Sequence, residues 1–140
     1  GFLGGGDVTD LNKMHDVVNR YLDEVFEARS SLDSRQPIIF IYQPVEPESH
    51  EPFDLQVGIM VDAGTAWRGS SLRVRQLPPF KCASIEYRGP MSHIGEGYRV
   101  LRESVEQAGL TPTGQMREVY VDWHGEDSAR TLTELQIGIE

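Results

Sequence analysis

A chain of 140 residues with a formal net charge of −9, 39% hydrophobic and 25% charged residues has the balance of one soluble globular domain with a core of its own. The acidic excess argues against a nucleic-acid surface, which needs clustered Lys and Arg, and suits a neutral or cationic small ligand. The apolar runs fall far short of a membrane span and no leader is visible; the single cysteine, Cys82, allows no intrachain disulfide, so a cytoplasmic protein is expected.

In chain order, "GFLGGG" (1–6) is glycine-rich but lacks the strand–loop–helix phosphate fingerprint, so no nucleotide cofactor is expected. Apolar residues at 11, 14, 18, 21/22 and 25 have helical spacing and predict a helix from about Val8 to Ser31. Asp7 is read as its cap, with Asp10 three places on. "PIIFIYQ" (37–43) and "FDLQVGIMV" (53–61) read as strands, joined by the Pro- and acid-rich hairpin connection "PVEPESHEP". "DAGTAWRGSS" (62–71) reads as a linker between halves. Then come strands "LRVRQL" (72–77) and "FKCASIEY" (80–87). A helix over Ser92–Ala108 carries the stripe Ile94, Tyr98, Leu101 and Val105 and ends at Gly109. "MREVYVDW" (116–123) and "TLTELQIGIE" (131–140) complete the strands.

Two halves echo one another. The helix stripe 11, 15, 18, 22 matches 94, 98, 101, 105 at a displacement of 83. "FIY" (40–42) falls against "EVY" (118–120), and "QVGIMV" against "ELQIGI", both at 78. The expected domain is therefore a single one over 1–140, with pseudo-repeats at about 1–62 and 72–140. Each is read as strand, helix, strand, strand. On the 83 offset only "GFLGGG" remains to match the second half's opening, so the first strand is expected to be truncated.

Alternation divides the strands into faces. Val57, Ile59 and Val61, with Leu135, Ile137 and Ile139, are expected to pack the helices, joined by Ile39, Ile41, Val119, Val121 and Trp123. The opposite face then carries Phe40, Tyr42, Met116, Glu118, Tyr120 and Glu134. Three aromatics, a Met and two acids suit a flat, apolar ligand, and aromatic faces with a carboxylate in an apolar hollow suit a cationic one. Phe40 and Glu118 hold equivalent places in the two halves. A Glu on an alternating strand is, on pattern alone, more often solvated than functional.

The ordered set of "RGP" before an amphipathic helix, "GL" and "G" after it, "REVY", and a final "TEL" strand resembles the GyrI-like domains, and the likeness runs through "DVTDLNKMHDVV" and "FDLQVGIMV". These are effector-binding domains attached to MerR-type and AraC-type transcription regulators, and they also occur free-standing. The resemblance implies an α+β fold: a tandem strand–helix–strand–strand repeat forming one curved antiparallel sheet with two helices on one face. It implies a ligand cavity between the half-repeats, as in multidrug-binding members, with the Glu of "E-x-Y", here Glu118, at its floor and Glu134 as the acid of the final strand. The chain departs from the pattern at Tyr87, where many members have His, and at Met91, where many have Tyr. Both positions bear on ligand preference.

Trp67, in the linker, is read as a pocket lid or as packing, with both left open. Tyr21 and Tyr98 lie on helix stripes and are read as core rather than ligand contacts. His15, His50, His93 and His124 lack ligand spacing, so no metal is expected, and Cys82 has no His partner. Two functions follow. One is a domain that binds a small lipophilic or cationic molecule, for sensing or sequestration, with no direct nucleic-acid or membrane contact and any DNA-binding segment outside this chain. The alternative, implied by family members that hydrolyse cyclopropane-bearing compounds, is a hydrolase using Glu118 as general base on water beside Tyr120. If Glu118 stands unpaired in an apolar pocket, Glu118→Gln is expected to leave stability level or raise it.

Overall fold

The computed structural model describes residues 1–45 and 52–140. Most of the expected acidic connection, His50 included, lies outside the described residues. The fold is α+β, with seven strands, antiparallel in every ladder, and two helices among the described residues. Contacts divide the chain into two compact units, Gly1–Pro79 and Phe80–Glu140.

The first unit runs β1 (Phe2–Thr9), a 3-10 turn at Leu11–Lys13, α1 (Met14–Ser31), β2 (Ile38–Pro44), β3 (Phe53–Met60) and β4 (Arg73–Arg75). Its strand order is β4-β1-β3-β2. Helix α1 starts from Asp10, whose carboxylate accepts from the Lys13 backbone N–H at 3.1 Å. The expected cap, Asp7, lies instead within β1 and pairs with Arg20 on α1 at 3.4 Å. Helix α1 packs on β1 and β3, burying Val25 and Ala28 together with Leu3, Leu55, Val57 and Ile59. Gly5 makes this packing close: a Cβ there would lie 2.6 Å from the Tyr21 ring. Gly5 therefore serves helix–strand packing, whereas Gly4 and Gly6 lie close to the backbone of β3.

Residues 62–71 are tied to α1, because the Ser71 backbone N–H and hydroxyl both donate to Glu24. Those two hydrogen bonds hold the Glu24 carboxyl below its ordinary range. Beyond Ser71 the chain adds β4 to the edge of β1, so Phe2 faces Arg75 and Leu3 faces Val74. The second unit thus begins at Phe80, not at 72. The expectation failed because a short strand reads alike wherever its partner lies.

The second unit runs β5 (Cys82–Arg88), a 3-10 turn at Met91–His93, α2 (Ile94–Gln107), β6 (Pro112–Asp122) and β7 (Leu132–Ile139), in the order β5-β7-β6. Helix α2 packs on β5 and β7 through Tyr98, Leu101 and Val105 against Leu135, Ile137 and Ile139. Gly97 permits this approach, since a Cβ there would lie 2.8 Å from Leu135.

The two units repeat strand, turn, helix, strand, strand. The structural offset of the opening strand, turn and helix is 80, not 83: the turns start at Leu11 and Met91, and the helices at Met14 and Ile94. Val18, Tyr21 and Val25 therefore correspond to Tyr98, Leu101 and Val105. A slip of three residues is nearly one helical turn and preserves the apolar stripe, so the sequence pattern does not distinguish the two alignments. With the offset at 80, β5 has a complete counterpart in the eight residues of β1, and no opening strand is truncated. In the later strands the offset is 78: Phe40 pairs with Val57, and Glu118 with Leu135.

Candidate functional site

Strand pairing reassigns the faces. Directly opposed residues of a ladder point to the same side. Glu118 is opposed to Leu135, Met116 to Ile137 and Tyr120 to Thr133, so these β6 side chains share the face on which α2 packs. Phe40 opposite Val57 and Tyr42 opposite Leu55 likewise lie on the α1 face of the first unit. The expectation placed all five away from the helices. Ile39, Ile41 and Val119, expected against the helices, lie on the other face, the two isoleucines buried and Val119 half-buried. Both faces of β2 are apolar and both faces of β6 mix apolar with polar residues, so alternation within one strand does not say which set meets the helix.

Glu118 is 8% exposed, and both of its oxygens are engaged. The Tyr98 hydroxyl, from α2, donates to Oε2 at 2.6 Å. The Tyr120 hydroxyl, two residues along β6, donates to Oε1 at 2.7 Å. Two O–H donors at two carboxylate oxygens suit the ionised acid, which can only accept. Arg102, one helical turn beyond Tyr98, holds its guanidinium 5.6 Å from the Tyr98 ring centre and approaches the Met116 sulfur at 3.8 Å. Tyr120 meets Trp123 edge-on at 5.4 Å between ring centres. Register shifts in β6 between Tyr120 and Asp122, and this break in alternation separates Val121 and Trp123 from the buried series. Both are about half exposed.

Phe40, Tyr42 and Phe53 form a chain of rings in the first unit, with centres 6.3 and 6.0 Å apart. Glu134 lies on the face of the second unit away from α2, opposite Val119 and Glu86, and accepts from Gln136. Trp67 donates its indole N–H to Ser70 at 2.7 Å. Of the residues singled out by sequence, the second unit thus gathers Glu118, Tyr120 and Met116 around Tyr98. Tyr98 is the participant that sequence reasoning assigned to the core alone. Its signal was there: a stripe tyrosine faces whatever the strands present, and the correct β6 face presents an acid.

Cys82 is half-buried, and burial first, then the charge of Glu134, pushes its thiol up. That is the direction of an unreactive thiol. Among the described residues no group of three His, Cys, Asp or Glu could hold a metal. A groove of about 470 Å³ lies in the first unit, lined by Val8, Thr9, Asp10, Lys13 and Pro52. It has no aromatic wall and no buried charge, so the chemistry is assigned to Glu118. No helix among the described residues is long and apolar enough to cross a membrane.

No family model and no curated protein matches the chain. Solved structures do share its fold. A hydrolase from Listeria innocua is 11% identical with a TM-score of 0.67, the match covering 99% of this chain and 86% of that one. EcmrR in its complex with DNA is 20% identical with a TM-score of 0.67, over 99% of this chain and 53% of that one. SAV2435 bound to tetraphenylphosphonium is 12% identical with a TM-score of 0.63, over 99% and 87%. At these identities the likeness is one of fold.

Proposed function

We propose that this chain is a small-molecule-binding domain of the GyrI-like kind, taking a lipophilic cation beside Glu118. The observation that carries the reading is a nearly buried carboxylate whose two oxygens are held by Tyr98 and Tyr120 within an aromatic and thioether surround. Such a group supplies a fixed negative charge where water is scarce, and phenol rings supply faces that attract cations. Arg102 already rests against the Tyr98 ring as a cation would. Tetraphenylphosphonium, held by a protein of the same fold, is an ion of the class proposed. Met116 completes the proposed site in this unit. Phe40, Tyr42 and Trp67 are proposed as ligand contacts of the first unit only, and Glu134 as the least of those in the second, since it faces away from α2. Sensing for a transcription regulator fits the shared fold with EcmrR, and sequestration fits a free-standing protein.

Hydrolysis is the second reading, favoured by the Tyr120 hydroxyl beside the carboxylate and by a hydrolase of the same fold. A carboxylate that already accepts from two phenols is better arranged as a counter-charge than as a free base for water, and this favours binding.

The test uses a cationic and a neutral dye of similar shape. Glu118→Gln should weaken the cationic dye about ten- to a hundredfold, as expected for losing a charge-assisted contact. It should change the neutral dye little. Equal loss for both would mean a damaged pocket, and no loss for either would remove Glu118 from the site. Turnover of a cyclopropane-bearing compound, abolished by the same substitution, would decide for the hydrolase.

A further inference from the structure

Thr131 and Thr133 are both fully buried, but they are treated differently. The Thr131 hydroxyl donates to the Gly125 carbonyl at 2.7 Å and accepts from the His124 backbone N–H at 3.1 Å. The Thr133 hydroxyl has no hydrogen-bond partner among the described residues. Its ladder neighbours on either side are Tyr87 and Tyr120. Their hydroxyls are directed elsewhere: Tyr87 donates to the Pro90 carbonyl at 2.7 Å, and Tyr120 to Glu118. An unmated buried hydroxyl is costly, and valine would fill the same space on a strand without that cost.

We infer that Thr133 is a specificity-determining residue of the Glu118 site, its hydroxyl receiving a hydrogen-bonding group of the ligand. This rests on the reading of Glu118 as the partner of a cation. Glu118 is opposed to Leu135, so Thr133 stands diagonally across the ladder from it, on the same face. Diagonal neighbours of this kind are about 7–8 Å apart at Cα. That separation fits a ring with its cationic group on Glu118 and a hydroxyl or carbonyl, meta to it, on Thr133. The ligand class is thereby narrowed from any lipophilic cation to an aromatic cation that also carries a hydrogen-bonding group. Thr133 can donate or accept, so it recognises either polarity.

A matched pair of ions tests this: phenyltrimethylammonium and its 3-hydroxy derivative, titrated calorimetrically. The wild-type chain should prefer the hydroxylated ion by about three- to tenfold, the scale of one neutral hydrogen bond. Thr133→Val should abolish that preference while leaving phenyltrimethylammonium within about twofold, on the same scale. Thr133→Ser should restore it. Urea unfolding of Thr133→Val should show stability equal to or above wild type, as expected for removing an unmated hydroxyl. Equal affinity of the wild type for the two ions would overturn the inference, as would equal losses for both in Thr133→Val. If Glu118→Gln still weakens both ions in that event, the cation reading stands without Thr133. If the wild type binds neither ion, both readings fall together.

Discussion

At the scale of the residue, Glu118 matters because its burial is compensated. An isolated carboxylate in an apolar setting would be expensive, and its replacement by Gln would then stabilise the protein. The phenols of Tyr98 and Tyr120 reverse that expectation. Tyr98→Phe keeps the ring and removes the hydroxyl that donates to Glu118, and it should cost about 1.5–3 kcal/mol, the range for a hydrogen bond to a charged group. Urea unfolding of wild type and variant measures it; a loss below about 0.5 kcal/mol, within the scatter of ordinary surface substitutions, would mean that Tyr98 acts only through its ring. Glu118→Gln should now lower stability slightly, because the amide offers one acceptor where the carboxylate offers two.

At the scale of the element, the two helices end alike but with different residues. After α1, Ser34 N–H reaches the Arg29 carbonyl at 2.9 Å and Asp33 takes a left-handed φ of +49°. After α2, Leu110 N–H reaches the Val105 carbonyl at 3.1 Å and Gly109 takes φ of +70°. Both are Schellman endings, in which glycine is the residue without a Cβ penalty. Asp33→Gly should therefore raise stability by about 0.5–1 kcal/mol, while Gly109→Ala, with open space around it, should lower it by about as much. Thermal unfolding of the two variants checks the pair, and shifts of the same sign would contradict the cap assignment. Gly109 was legible as a stop in the sequence because glycine advertises the conformation. Asp33 was not, since Asp is equally at home in caps and turns. The 80-residue offset of the helices was hidden for a related reason, that one turn of slip leaves the stripe intact.

For the whole molecule, the net charge of −9 acts on every unit at once. Of the described ion pairs, those involving Arg lie on the exposed surface, where each contributes little. Self-repulsion should thus be incompletely compensated, and raising NaCl from about 10 mM to 200 mM, which shortens the screening length from about 30 to below 10 Å, should raise Tm at pH 7. The same salt should weaken a cationic dye more than a neutral one. A flat Tm across that range would show that the acidic surface is spaced widely enough to be harmless.

What the sequence by itself determined is the local and periodic content: two amphipathic helices, the strands about them, the α+β class, the repeated order and the 78-residue correspondence that sets Phe40 against Glu118. These depend on spacing within short segments, which a linear pattern records. What only the tertiary structure decided is which side of β2 and β6 meets a helix, that 73–75 completes the first unit as β4, and that Tyr98 reaches Glu118. The physical reason is pairing. β2 is apolar on both faces and β6 mixed on both, so neither strand's own pattern favours a side, and the choice is made by register against β3 and β7, whose opposed residues fix the side for their partners. The acid was visible in the chain, but its two phenols become neighbours only once that register is set.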